Sequence, residues 1–318
     1  MPQSRQLNHS EENDIRTISK SAAPRSQTST KSEVSETVQQ LYNPNLPTDL
    51  SSLRQQLVAA LDLSQYPNFY QIPQPSPAIF DPITSSNGNN ANDTTSSDLD
   101  RNNILLVIPT ENESKAKLLR SRLSATKPAH VRLDYCQVKA RSDVGEQPYD
   151  GAGPRGAFNR VVNAVASLLA DADKRAALVE RPRVGTLIVG AIENFVLRNR
   201  DRDSGDVNPV DHGFVVLCRV SLVDHTWDWV VGVGRGVTVP REYYEAAQEL
   251  GFEDEDEGEG GTRTCGKVTI GQLLSANAGV DNADWAKPLA GVSRYDLLRE
   301  ALEAMDVPWP VTPHSGAR

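Results

Sequence analysis

Three short segments of this 318-residue chain carry residue types that can do chemistry. The first is the turn Pro109-Thr110-Glu111-Asn112-Glu113-Ser114-Lys115, which follows the apolar run 104–108. A buried strand, a polar turn and a helix start place free backbone N–H groups and the positive end of a helix dipole at one point, which suits an anion. Lys115 can pair with a phosphate as a point charge, and Glu111 and Glu113 would repel one. The alternative is an ordinary capped turn. The second segment is the loop GEQPYDGAGPRGAFNR (145–160), where Arg155 and Arg160 lie on or beside a helix N-terminus. Each can bind an acidic group, or tie the loop down through Asp150 or Glu146. The third is Glu193-Asn194, at the end of a buried strand. A carboxylate at the C-terminal edge of a parallel strand can hold a metal, act as a base, or close a salt bridge to Arg155 or Arg160.

These groups need a scaffold, and the residue pattern from 104 onward supplies one. Residues 104–108 (ILLVI) read as a strand buried on both faces. A helix follows with Ala116, Leu119 and Leu123 on one side. Residues 130–140 are a second strand, and 155–178 are the strongest helix, with Ala157, Val161, Ala164, Val165, Leu168 and Leu169 on one face. Strands are predicted at 185–196, 213–222 and 227–239, and helices at 240–251, 268–279 and 293–305. This order predicts an α/β domain, a mixed sheet flanked by helices, over 104–307. GVGRG (232–236) marks a bulge or close packing within a strand pair. FEDEDEGEGGTRT (252–264) reads as a solvated acidic loop, and 308–318 as a tail.

The residues before 104 differ in texture. Residues 1–47 are rich in Ser, Thr, Gln and Asn and are predicted to be disordered. Between 48 and 103 the reading is a short helix with Leu50, Leu53, Leu57 and Leu61 at helical spacing, a Pro-rich stretch (66–82) and a polar linker (85–103). The helix either packs on the domain or docks a partner. The Pro-rich stretch is either a ligand for a proline-binding module or an arm along the domain.

Composition narrows the function classes. A net charge of −9 argues against a nucleic-acid binder that works by neutralising phosphates. Cys136, Cys218 and Cys265 lie far apart, with no disulfide framework or cysteine zinc site, as suits a reducing compartment. The five histidines show no metal spacing, no GxSxG nucleophile elbow is present, and no apolar run approaches the roughly 20 residues of a membrane helix. The N-terminus has no signal-peptide core. The expectation is a soluble intracellular protein.

QPYDGAGPRGAFNRVVNA, AIENFV and VTIGQLLSANAGVDNADWAKPLAGVSR, in this order, resemble the non-canonical purine NTP phosphatase (inosine/xanthosine triphosphatase) superfamily, and within it the branch named for the proline-rich coiled-coil protein. The resemblance spans about 104–307 and implies an inosine triphosphatase-like fold. Thr110, Asn112 and Lys115 keep the spacing of the family's TxNxxK-like phosphate loop. Gly156, Ala157, Asn159 and Arg160 match its Gly-Ala-x-Asn-Arg run, and Glu193 matches its strand-end glutamate. The resemblance thus implies phosphate contacts from Thr110, Asn112, Lys115, Arg155 and Arg160, with Glu193 as the one catalytic and Mg²⁺-binding carboxylate should the protein be active. The family's acid pair is missing: Ala152, Gly153 and Pro154 stand there, and Asn194 and Phe195 replace a nearby glycine. Phe195 is expected to narrow the space for a purine.

Mg²⁺ prefers several oxygen ligands in octahedral geometry. Its loss would slow hydrolysis by roughly a thousandfold or more. The expectation is therefore a non-catalytic regulatory or scaffold protein without a cofactor. The alternative is an active Mg²⁺-dependent inosine/xanthosine triphosphatase, with Asp143, Glu146 or Asp150 replacing the missing acids. The branch implies a cytoplasmic, Golgi-associated protein with protein partners bound through the N-terminal region, and contact with a regulatory subunit of cyclic-AMP-dependent protein kinase. It also implies a homodimer, for which Trp227, Trp229 and Trp285 are either anchors or core.

Overall fold

The computed structural model describes residues 40–57, 59–61, 99–180, 183–200, 205–253 and 263–310. The expectations for most of 1–47, for the Pro-rich stretch, for most of the polar linker, for the centre of the acidic loop and for the tail beyond 310 lie outside these residues. In chain order the elements are α1 (Leu50–Gln55), β1 (Ala59–Leu61), β2 (Asp100–Ile108), α2 (Glu113–Thr126), β3 (Arg132–Gln137), β4 (Gln147–Pro148), α3 (Ala152–Ala170) and α4 (Ala172–Glu180). They continue with β5 (Val184–Arg200), β6 (Val207–Ser221), β7 (Thr226–Val233), β8 (Gly236–Thr238), α5 (Arg241–Glu249), β9 (Cys265–Gly266), α6 (Ile270–Ala278), α7 (Ala286–Ala290) and α8 (Arg294–Ala304).

Seven strands form one mixed sheet in the order β1-β8-β6-β5-β2-β3, with β7 also paired to β6. β2 runs parallel to β3 and β5, and the other pairings in this sheet are antiparallel. The protein is thus α/β with a mixed sheet flanked by helices. Alternation along β5 builds both faces of the sheet. Leu187, Val189 and Ala191 point to the layer made by α3, while Ile188 and Ile192 point to the layer made by α2 and α8. A third apolar cluster gathers α1, α5, α6 and α7 around β8.

Several boundaries differ from the sequence reading. β2 starts at Asp100, inside the stretch read as linker, because Asp100 already pairs with Val184. The chain before it is also engaged. Leu46 and Leu53 are buried in the apolar cluster that also holds Trp285, Tyr243 Oη donates to the Pro47 carbonyl at 2.8 Å, and Asn277 bonds both Asn43 N and Leu41 O. Leu57 and Leu61 do not continue α1, since the helix ends at Gln55 and Ala59–Leu61 pair with β8. The long helix breaks at Asp171, which turns extended (ψ 113°) and accepts from the N–H groups of Asp173 and Lys174 at the start of α4. The predicted 227–239 strand divides into β7 and β8 around Gly234. There a Cβ on Gly236 would meet Val210 and His212 within 2.6 Å, so the glycine run does mark close packing.

Candidate functional site

Two neighbouring hollows open where β2 ends, between its last pair with β5 and the point at which Tyr149 bridges Val196. The larger, about 730 Å³, is lined by Thr110, Lys139, Arg141, Glu146 and Arg160 among others. The smaller, about 310 Å³, is lined by Lys115, Glu146, Glu193, Asp211 and Arg294 together with amide side chains. Glu146 borders both.

The first predicted segment forms one wall. Asn112 caps α2, its Oδ1 accepting from Lys115 N at 3.0 Å, and Asn112 N donates to Thr110 Oγ1 at 3.1 Å. The cap turns the Lys115 side chain inward, where Nζ donates to the Ile192 carbonyl at 3.3 Å. No carboxylate lies within ion-pair distance of this ammonium among the described residues. Burial pulls its pKa down to about 8, Arg294 and Arg160 push the same way, and Glu193 and Asp211 oppose them.

Glu193 does not end its strand, because β5 runs seven residues further. It stands beyond the last parallel pair, Val107 with Val189, on the face of β5 that α3 covers, where a Cβ on Gly156 would lie 3.4 Å from its Cγ. Arg160, five residues further along α3 than Arg155, meets it with Nε 2.6 Å from Oε2 and donates from Nη1 to the Ala140 carbonyl at 2.7 Å. Of the structural alternatives, the Arg160 salt bridge is the one formed. Arg155 lies elsewhere. It is exposed, lines neither hollow and approaches Cys265 Sγ at 3.5 Å. Five residues along a helix is about 140°, which sends the two arginines to different faces.

The acids considered as substitutes divide. Asp150, at φ 48°, is held by Arg198 through its backbone N–H (2.7 Å) and Nε (2.6 Å). Asp143 is tied to Arg141 and Asn163. Only Glu146 reaches the hollow that Glu193 lines. Ala152, Gly153 and Pro154 form the buried first turn of α3. Phe195 does not narrow the site. It is fully buried on the same face of β5 as Glu193, against Gly153 of α3 and stacked on His212 at 5.8 Å, and it lines neither hollow. Trp285 is core, whereas Trp227 and Trp229 are half-buried against Phe158 and each other.

Sequence reading missed Asp211 and Arg294. Both lie on the wall of the smaller hollow, with Nε 2.8 Å from Oδ2. Burial pushes Asp211 up from the usual carboxylate range, while Arg294 and Lys115 hold it back. Arg294 is itself placed by Asp284, whose carboxylate accepts from Arg294 N and Ser293 Oγ at the start of α8. The available signal was the segment DWAKPLAGVSR, which contains both Asp284 and Arg294.

Among the described residues no group of three or more His, Cys, Asp or Glu is placed to hold a metal ion. The carboxylates present do not fit Mg²⁺. Glu193 is occupied by one guanidinium and Asp211 by another, which leaves Glu146 as the only acid in the smaller hollow without an ion pair. Among the described residues no helix is long and apolar enough to cross a membrane.

No family model and no curated protein matches this chain. Among solved structures it is similar to protein VC0702 from Vibrio cholerae, with 16% identity, a TM-score of 0.38, and coverage of 62% of this chain and 90% of that chain.

Proposed function

We propose that this chain is a non-catalytic regulatory or scaffold protein whose domain keeps an oxyanion-sized polar hollow and no working hydrolytic centre. One observation carries this reading: the Glu193 carboxylate, which hydrolysis would need for Mg²⁺, is bonded to Arg160 at 2.6 Å. A carboxylate neutralised by a guanidinium is a weak metal ligand, and the hollow's other buried acid is neutralised in the same way. The implied partners follow the sequence resemblance. They are protein partners bound through the N-terminal region, a regulatory subunit of cyclic-AMP-dependent protein kinase, a second copy of the chain, and membranes of the early secretory pathway or Golgi approached from the cytoplasm.

A second reading, a Mg²⁺-dependent inosine/xanthosine triphosphatase, is favoured by the presence of Glu146, Glu193 and Asp211 around one hollow with Lys115. It requires both arginine bridges to open. The deciding measurement is pyrophosphate release from inosine and xanthosine triphosphate with Mg²⁺, for the wild type and Glu193→Gln. The expected result is release at the background rate from both. Wild-type turnover that disappears in the variant would establish the second reading.

A further inference from the structure

The Arg160–Glu193 bridge is the partition between the two hollows. Arg160 lines the larger one and Glu193 the smaller. Arg160 uses Nε for Glu193 and Nη1 for the Ala140 carbonyl, so a guanidinium built for two-pronged oxyanion binding already holds an anion supplied by its own chain. The other cations on the larger hollow are engaged too: Lys139 with Glu111 at 3.1 Å and Arg141 with Asp143 at 2.6 Å. An oxyanion entering there cannot take the edge of Arg160 that includes Nε while Glu193 holds it. Lys115 lines the smaller hollow together with Glu193, and its ammonium has a backbone carbonyl as its hydrogen-bond partner and no carboxylate within ion-pair distance among the described residues. Glu193 released from Arg160 therefore has a second cation to receive it, without leaving the buried region.

We infer that Glu193 is a built-in competitor: it blocks Arg160 against oxyanions in the resting protein and transfers to Lys115 when a phosphate or pyrophosphate group takes its place. Lys115 then acts through Glu193 and not on the anion. The inference rests on the non-catalytic reading of the site and adds to it a self-inhibited binding step. No bond is made or broken, and the exchange conserves charge: one guanidinium–carboxylate pair is replaced by a guanidinium–oxyanion pair and an ammonium–carboxylate pair.

The test is calorimetric titration of the full chain with inorganic pyrophosphate in EDTA, so that metal-dependent turnover plays no part. Turnover in the nucleotide assay would overturn the non-catalytic reading alone, and the titration reads the competitor alone. Glu193→Gln should tighten binding at least tenfold. Glu146→Gln removes the same charge from a residue that borders both hollows, and should change binding less than threefold. Equal tightening by both variants would reduce the effect to general charge removal and overturn the inference, as would no tightening by Glu193→Gln or no binding to either protein. Lys115→Met should weaken binding in the wild type and leave it unchanged in the Glu193→Gln background. Weakening in both backgrounds would place Lys115 on the anion itself and overturn the transfer. Should Glu193→Gln fail to fold, a crystal structure of the wild type with pyrophosphate decides the question: Glu193 moved to Lys115 supports the inference, and an anion bound beside an intact Arg160–Glu193 bridge overturns it.

Discussion

Arg294 and Asp211 pair across the wall of the smaller hollow, Nε 2.8 Å from Oδ2 and Nη2 donating to Oδ1 at 3.1 Å, with their side chains 17% and 6% exposed. Removing one partner of such a pair strands the other charge away from water, whereas replacing both by neutral groups is far milder. Arg294→Met should destabilise the fold by about 3–5 kcal/mol. Arg294→Met with Asp211→Asn should recover most of that loss. Urea unfolding of the two variants and the wild type checks this, and equal losses would show that the pair itself supplies the stability.

Lys115 gives a pH signature. Its pKa falls from 10.5 to about 8 on folding. Between these values the unfolded chain holds the proton and the folded chain does not, so stability rises with pH across the window. Below pH 8 both states are protonated, and the cost of burying the ammonium is present in full. Lys115→Met should remove this rise and stabilise the protein at pH 7 by about 1–3 kcal/mol. Denaturant midpoints for both proteins from pH 7 to 9.5 test it, and parallel pH curves would contradict it.

Gly153 sits in the first turn of α3 directly on Phe195, whose Cγ lies 2.3 Å from where a Cβ would be. Alanine improves helix propensity by about 1 kcal/mol, which is smaller than the overpacking cost. Gly153→Ala should destabilise by about 1–2 kcal/mol net. Phe195→Leu in the same chain should restore part of it, and a double-mutant cycle on thermal unfolding measures the coupling. Additive effects would mean that the helix shifts to accommodate the methyl group.

Much of the sheet was legible because its residues are consistent at each level. Ala116, Leu119 and Leu123 repeat at helical spacing and are all fully buried on α2. The run 185–196 is apolar because β5 is covered on both faces. Asp211 and His212 were not legible, since an acid and an imidazole before Gly213 resemble the polar approach to a strand. β6 in fact begins at Val207 and pairs with the far half of β5, which takes both residues inside. The sequence marked Arg155 and Arg160 equally. Only the start of α3 at Ala152 decides which of them faces Glu193, and an Ala-Gly-Pro turn gives a weak helix signal. Leu57 and Leu61 misled because a short apolar run fits a helix or a strand, and pairing with β8 chose the strand.

The attachment of residues 41–61 has a practical consequence for how this protein is cut. A fragment starting at 104, where the apolar texture begins, would lack the first four residues of β2 and the whole of β1. The outer margin of β8 would then offer its N–H and C=O groups to any passing strand, and the loss of Leu46 and Leu53 would open the apolar cluster they belong to. Such a fragment should scatter light and adhere to itself where the longer chain does not, so that a trimmed version would be mistaken for a natural assembler.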